Sequence, residues 1–480
     1  MMITIRAVLI NISDEHKKII DDMLLVFCTA VRYSFKRLLE GNKINELEKE
    51  TAGKYKLNIR QGKDAVESAR QTIKSQKELV KMNYENYRNK AAKIETILSS
   101  KNKKLTYRKR NALISKLDKR KRKMEYWKGF IDEDTIPPIV FGTKKMFLKR
   151  CKGLITNEEW KDCRNNRIYS RGDKTKSGNP NLRVVIKNSM TFLEISTLEK
   201  TKTNRAVKIQ VPLYLPQKLS KKTGKVNGIN YRQMFLNHLQ TGEAYQAEII
   251  KKDKKYYVHI TFEVPKAVPI YTEDNGIIGI DTNPDGFALT MIDNKGNHKW
   301  HYYLKEHELL YSRSNRRKNL CGELVKRIIQ AAKQENCGIA PEDLKFNNDT
   351  DVQSKFARIK QQFIYRTLLT MLESACAREG IKFVKVKPQL TSKIGLYKYC
   401  HQYGMCVHNG AAMVIARRAY GYKENMPKIL KDKLIFDKET FDKKNEWLKW
   451  TIINKIISKK GGNKPDLWLK NRKQILRLVS

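Results

Sequence analysis

Apolar and polar positions alternate over Thr4–Ile10, which predicts a strand. Ser13 then reads as an N-cap, with Asp14 and Glu15 in the first turn. Ile20, Met23, Leu24, Phe27, Val31, Phe35 and Leu38 come next at helical spacing, and Gly41 closes the helix. That stripe is core, with no chemistry assigned to it. Arg60–Ser100 and Lys101–Gly129 read as long helices dense in Lys and Arg, until Ile136-Pro137-Pro138 breaks the pattern. From Ile139 to Pro265 the period becomes two. Strands are predicted at Arg183–Ile186, Thr191–Ile195 and Ala206–Val211, then as a hairpin Tyr245–Ile250/Tyr256–Val264 with Lys251–Lys255 at its tip. Arg164–Gly178 reads as a basic, Gly-containing loop. This region is expected to be a small β-barrel with two basic loops, linked by Lys266–Glu273 to a second strand-rich segment that begins at Gly276.

The apolar run Gly276–Ile280 reads as a buried strand that ends at Asp281. A polar turn at Thr282–Gly286 leads to a second strand, Phe287–Ile292, closed by Asp293-Asn294-Lys295-Gly296. Glu323–Glu335 is predicted helical. Cys337–Ala340 is a short strand with Pro341-Glu342-Asp343-Leu344 at its end. Gln353–Arg378 reads as a long helix with Phe356, Ile359, Phe363, Leu368, Met371 and Leu372 at its apolar positions. A strand at Ile381–Val386 and a helix at Val407–Tyr420 complete an α/β domain with acidic residues at two strand ends.

Charge sharpens this picture. The 480 residues hold 98 Lys+Arg against 50 Asp+Glu, a net +48 spread along the whole chain. A polyanion that neutralises such self-repulsion is the expected partner, and nucleic acid is the commonest one. Lys119–Lys123 (KRKRK) is the densest run, and Tyr84, Tyr87 and Tyr107 interleave with Arg and Lys, which suits stacking plus phosphate contact. No apolar run approaches the roughly 18 residues that span a membrane. The start, MMITIRAVLINIS, carries Arg6 and no small-residue cleavage site, so a strand is expected there rather than a secretory leader. Eight cysteines without a C-x-x-C pair indicate neither a disulfide framework nor a zinc ribbon. The compartment expected is cytoplasmic.

An Asp at a strand end is most often a turn former, and Glu342 alone reads equally as a helix N-terminal acid beside Pro341. Paired in one α/β domain, Asp281 and Glu342 suit the holding of divalent ions around a phosphodiester, and hard Mg²⁺ prefers such oxygen ligands. At these residues the chain resembles the TnpB family of transposon-encoded RNA-guided nucleases, which are related to compact type V CRISPR effectors. Gly279–Asp293 (GIDTNPDGFALTMID) resembles the first RuvC motif of that family, and Ile339–Phe346 (IAPEDLKF) the second. Thr391–Gly421 resembles the end of the RuvC domain in a subgroup with an Ala-Ala-x-x-Ile-Ala-Arg-Arg helix. Ile136–Phe147 and Ala244–Val264 resemble that subgroup's wedge segments.

The resemblance implies a multidomain α+β chain: a first wedge strand at 1–12, a basic helical recognition lobe at 13–135, and a β-barrel wedge domain at 136–270. An RNase H-like (RuvC) α/β domain would fill 271–421, with a shortened zinc-finger-like insertion at about 389–406, and a basic tail 422–480. It also implies a guide RNA, a target double-stranded DNA with a short adjacent motif, and Mg²⁺ or Mn²⁺ at Asp281, Glu342 and the third motif position. There the family usually has Asp, and this chain has His408. His408 has three readings: a metal ligand at a helix N-terminus, better suited to Mn²⁺ or Zn²⁺ than to Mg²⁺; a mark of lost or weakened cleavage; or a structural histidine while another acid completes the site. Cys400 and Cys406 with His401 and His408 have poor spacing for zinc, so a structural zinc is not expected.

Arg60, Gln61, Lys63, Gln71 and Lys74 are the candidate motif readers, since Arg suits guanine and Gln adenine. Arg164, Arg167 and Arg171 on the basic loop, with Lys393, Lys398, Arg417 and Arg418, are candidate phosphate contacts. The expected function is RNA-guided DNA cleavage. The alternatives are a nuclease-dead RNA-guided binder such as a repressor, or a guide-free nuclease or resolvase of the RNase H fold.

Overall fold

The structure is a computed structural model that describes residues 2–100, 105–203, 205–217, 219, 223–224, 226, 229–265, 267–343, 364–434 and 438–459. The chain forms two compact units, Met2–Val264 and the part from Pro265 onward. Helix and sheet are mixed in both.

In the first unit the chain runs β1 (Met2–Leu9), α1 (Asp14–Leu39), α2 (Ile44–Lys54), α3 (Ile59–Ser99), α4 (Tyr107–Asp132), α5 (Lys144–Cys151), α6 (Asn157–Arg164), β2 (Arg167–Ser170), β3 (Leu182–Lys187), β4 (Met190–Lys200), β5 (Ala206–Tyr214), α7 (Tyr231–Gln240), β6 (Tyr245–Lys252) and β7 (Lys255–Glu263). Ser13 caps α1 by accepting from the His16 amide, and the predicted stripe is its inner face: Ile20, Met23, Leu24, Phe27 and Phe35 are buried. The strands form one sheet in the order β2-β6-β7-β1-β5-β4-β3. Among the described residues no ladder joins β2 to β3, so the expected barrel is an open sheet by its backbone bonds. Its curl is completed by side chains instead. The Val184 amide of β3 donates to the Tyr245 hydroxyl of β6 at 2.6 Å. Asn179 donates to the Tyr245 and Ser170 carbonyls and accepts from the Leu182 amide.

Three corrections fall in this unit. The all-strand reading of 139–265 missed α5, α6 and α7, which are short and carry no long apolar stripe. The segment read as the loop Arg164–Gly178 contains β2, paired with β6. The second basic helix begins at Tyr107 rather than Lys101, and none of its residues is buried.

The second unit runs β8 (Ile277–Asn283), β9 (Gly286–Ile292), β10 (His298–Lys305), α8 (Ser314–Gln334), β11 (Gly338–Pro341), α9 (Ile364–Glu379), α10 (Thr391–Ile394), a π-helical turn at Gly395–Tyr399, α11 (Cys400–Tyr403), α12 (Val407–Ala419), α13 (Lys428–Leu434), α14 (Lys438–Asp442) and α15 (Glu446–Lys459). The sheet order is β10-β9-β8-β11, with β11 parallel to β8 and the others antiparallel. Strand alternation sends side chains to two different cores. Ile278, Ile280, Phe287, Leu289, Met291 and Ile339 pack with Leu324 and Ile328 of α8 and Leu368 and Leu372 of α9. Ile277, Ile292 and Ala340 pack on the other face with Met413, Val414 and Ala416 of α12.

The strands β8 and β9 meet in a tighter turn than expected, and β10 was not anticipated. The expected strand Ile381–Val386 is present only as isolated parallel bridges, Tyr271–Ile381, Ile339–Phe383 and Glu342–Val386. The segment after Gly421 is not a bare tail. Through residue 459 it builds α13 to α15 and buries Leu430, Phe441, Trp450, Ile453 and Ile457 in the α12 core. Likewise the residues at about 389–406 are helical, with Leu396, Tyr397, Tyr399 and Cys400 buried. Leu344–Phe346, Phe356, Ile359, Phe363 and Trp468 lie outside the described residues.

Candidate active site

The register of the four strands assembles the acidic residues. Pro341 of β11 pairs with Ile280 of β8, so Glu342 and Asp281 stand one step beyond the last pair. Adjacent strands lie about 4.8 Å apart, and residues in register share a face. On the other side Asp281 pairs with Ala288 of β9, and Ala288 with Tyr303 of β10. Tyr303, Ala288, Asp281 and Glu342 therefore form a row on the face that α12 covers. Both acids are 6 % exposed.

Close helix approach requires a residue without a side chain beneath it. A Cβ at Gly279 would lie 2.0 Å from the Ala412 carbonyl oxygen and 2.8 Å from the Ala416 Cβ. Glycine on the strand and alanines on the helix thus let α12 lie directly on β8. Thr290 Oγ1 donates to the Asn409 carbonyl at 2.8 Å, and Asn409 Nδ2 donates to the Leu289 and Tyr302 carbonyls. These bonds fix the first turn of α12 and hold His408 over Asp281. His408 Nδ1 lies 3.0 Å from Asp281 Oδ2, and its ring stacks on Tyr303 with centroids 5.7 Å apart. The Tyr303 hydroxyl donates to Asp285 Oδ1 at 2.5 Å.

Each acid has one committed oxygen. Asp281 Oδ2 accepts from His408 and, at 2.9 Å, from Asn283 Nδ2. Glu342 Oε1 accepts from Thr391 Oγ1 at 2.7 Å. The other two oxygens, Oδ1 and Oε2, accept no hydrogen bond among the described residues. The electrostatics match this geometry. Burial, and then the neighbouring Asp281 carboxylate, push the Glu342 carboxyl up to about 7. The Asp281 hydrogen bond raises the proton affinity of His408 against the opposing effect of burial.

Two buried carboxylates with free oxygens and a shortfall of positive charge fit a hard divalent cation. Mg²⁺ is commonly held by one or two carboxylates and completes its shell with water and phosphate oxygens. Among the described residues, no group of three or more His, Cys, Asp or Glu side chains is placed to hold a metal ion. Asp281 and Glu342 thus fit as a two-carboxylate seat, with His408 bonded to the first of them. Asn283, Thr391, Tyr303 and Asp285 were not anticipated. Asn283 alone had a sequence signal, lying two residues along the strand from Asp281 and so on the same face.

Glu424 is fully buried beneath Lys398 (2.7 Å), Arg417 (3.1 Å) and the Tyr399 hydroxyl (2.5 Å). Lys398 and Arg417, expected at a phosphate, both pair with this one carboxylate instead. Arg418 Nη1 donates to the Lys387 and Gln389 carbonyls, while its Nη2 is buried without a partner among the described residues. Lys393 is half-buried on α10, and burial lowers its proton affinity.

In the first unit Gln61 cannot meet a base edge as expected. It is 2 % exposed, completes the α3 capping box with Asn58, and donates to the Ser196 carbonyl. Arg60 pairs with Asp173, Lys63 with Glu48 (3.5 Å), Arg167 with Glu248 (3.0 Å) and Arg171 with Asp64 (2.7 Å). Gln71 donates to Glu67, Lys74 is exposed, and exposed Arg164 lies 5.8 Å from the Trp160 ring centroid.

No helix among the described residues is long and apolar enough to cross a membrane. No curated protein matches the chain. Among solved structures it is similar to T. thermophilus RuvC in complex with a Holliday junction substrate, at 13% identity over 30% of this chain and 94% of that one, TM-score 0.24. It is also similar to a CRISPR-Cas12f ternary complex, at 13% identity over 86% and 98% of the two chains, TM-score 0.23. A Cas12i-crRNA complex is similar at 10% identity over 79% and 68%, TM-score 0.26. Residues 2–276 match the family described as the SSO2105 N-terminal domain. That match spans more than half of the 480 residues, and the chain belongs to this family.

Proposed function

We propose that the chain is an RNA-guided DNA endonuclease whose cutting site is formed by Asp281 and Glu342, with His408 setting the first of them. The observation that carries the cutting site is the pair of buried carboxylates, Asp281 on β8 and Glu342 just past the end of β11, each with an unused oxygen. A divalent ion bound there, Mg²⁺ or Mn²⁺, would polarise the scissile phosphate and activate water. The protein's own contribution is orientation. Thr391 holds one Glu342 oxygen, Asn283 and His408 hold one Asp281 oxygen, and α12 closes that face of the sheet. His408 bonded to Asp281 is in position to receive and return a proton near the attacked phosphate.

Guidance by RNA rests on the motif resemblance and on the net +48, which suits a large polyanionic partner. In this reading the basic helices within 13–135 and the sheet within 136–270 hold guide RNA and target DNA, and the adjacent motif is read by side chains that are free, such as Lys74. Pairing of the guide selects the sequence while protein recognises shape. Sequencing the RNA that co-purifies with the protein from its native locus tests this. A constant scaffold joined to a variable segment is expected, and bulk ribosomal fragments alone would overturn guidance. A second reading, an RNA-guided binder with weak or no cutting, is favoured by one observation: no group of three metal-ligating side chains forms among the described residues.

A further inference from the structure

Beyond the acid pair, the second unit contains a cavity of about 550 Å³ between the turn after α12 and helices α13 to α15. Lys423, Glu424, Phe441, Glu446, Trp447 and Lys449 are among its walls. We propose that this cavity holds one nucleotide of a single-stranded nucleic acid, its base stacked on Trp447 and its phosphate against Lys423 and Lys449. This rests on the reading that the chain acts on nucleic acid, and it names a substrate contact outside the acid pair.

The size is right for a small ligand, since such pockets span roughly 300–1,000 Å³. Trp447 is half-exposed, and the Arg418 guanidinium sits 4.4 Å from the centroid of one of its faces. Arg418 is itself anchored by the Lys387 and Gln389 carbonyls. The ring is therefore braced from behind, and a base stacking on its other face would complete a cation–aromatic–base sandwich. The acids in the walls do not oppose a phosphate. Glu424 is matched by Lys398, Arg417 and Tyr399, and Asp442 by Lys431 at 2.5 Å. Glu446 lies within electrostatic reach of Arg418. Lys423 is exposed, and Lys449 is half-exposed with its ammonium 6.0 Å from the Phe441 ring centroid, so neither cation is buried away from a ligand.

Arg418, which braces Trp447, also acts electrostatically on the acid pair. Its charge is felt by Glu342, while its Nη2 is buried without a partner among the described residues.

The test is photocrosslinking of the full chain, in EDTA and at about 0.3 M salt to suppress general attraction to the basic surface. The probes are an octathymidylate and an octauridylate, each carrying one 5-iodouracil, and the labelled residue is mapped by mass spectrometry. Labelling of Trp447 is expected, with yield falling about tenfold in the Lys423→Glu/Lys449→Glu variant; the stronger probe tells DNA from RNA. Labelling confined to other residues, or a Trp447 yield unchanged in that variant, would overturn the proposal. Cutting is scored separately with divalent ion and Asp281→Asn. Trp447 labelling without any cutting by the wild type sinks the nuclease reading and leaves the pocket; Asp281-dependent cutting without Trp447 labelling does the reverse.

Discussion

Glu342→Gln should make the protein more stable at pH 8 while ending its activity. In the folded chain the Glu342 carboxyl is pushed from 4.5 up to about 7, by burial first and by Asp281 second. At about 1.4 kcal/mol for each tenfold in proton affinity, that corresponds to ~3 kcal/mol. The sign comes from linkage. Between pH 4.5 and 7 the folded state holds the proton more tightly than the unfolded state, so stability falls as pH rises through this window. Above it the full penalty of a buried, unbalanced carboxylate is present. Glutamine carries no charge and keeps a carbonyl oxygen for Thr391 to donate to. Thermal unfolding followed by calorimetry should therefore show Glu342→Gln melting higher than wild type at pH 8, by roughly 6–12 °C as an upper figure for a unit of this size. The gap should close near pH 4.5. Millimolar Mn²⁺ should raise the wild-type melting temperature and leave the variant unmoved. A variant that melts at or below wild type at pH 8, or a gap independent of pH, would refute this account of Glu342.

Other consequences are as direct. Asp281→Asn should lower divalent-dependent cutting at least about 10²-fold and abolish the Mn²⁺ effect on melting, measured on the same preparation. Gly279→Ala places a Cβ 2.0 Å from the Ala412 carbonyl, so α12 must lift; a loss of about 1–3 kcal/mol in chemical denaturation is expected, with cutting reduced alongside. His408→Asp should keep cutting and shift its preference from Mn²⁺ toward Mg²⁺, whereas His408→Ala should weaken both; equal rates in all three proteins would make His408 a bystander. Trp450, 1 % exposed, donates to the Glu424 carbonyl at 2.8 Å, so Trp450→Ala should cost about 3–5 kcal/mol in urea unfolding.

The placement of the two candidate acids was legible because its signals are local. A buried apolar run ending in an acid marks Asp281, and a second short run ending in Pro341-Glu342 marks its neighbour. Parallel register then places the two side by side, a non-local fact that no spacing reveals. Thr391 and Tyr303 reach the site from distant segments and carried no pattern of their own. The misreadings share a physical cause. Gln61 and Arg171 look like nucleic-acid contacts in a basic stretch, yet one completes a helix cap and the other pairs with buried Asp64. The charge-rich sequence after Gly421 resembles a tail because its apolar residues are spaced widely among lysines. It folds because Trp450, Ile453 and Ile457 fall on one face of α15 and meet the α12 core. Strand β2 was hidden by its length, and the helices α5 to α7 by their weak amphipathic stripes.

The most direct test of the central claim is cleavage of a plasmid that matches the variable segment of the co-purified RNA, in Mg²⁺ and in Mn²⁺. Linear or nicked product is predicted for wild type, with none from Asp281→Asn, from Glu342→Gln, or after RNase treatment of the protein. Cutting that survives both acid substitutions, or that ignores the RNA, would contradict the account.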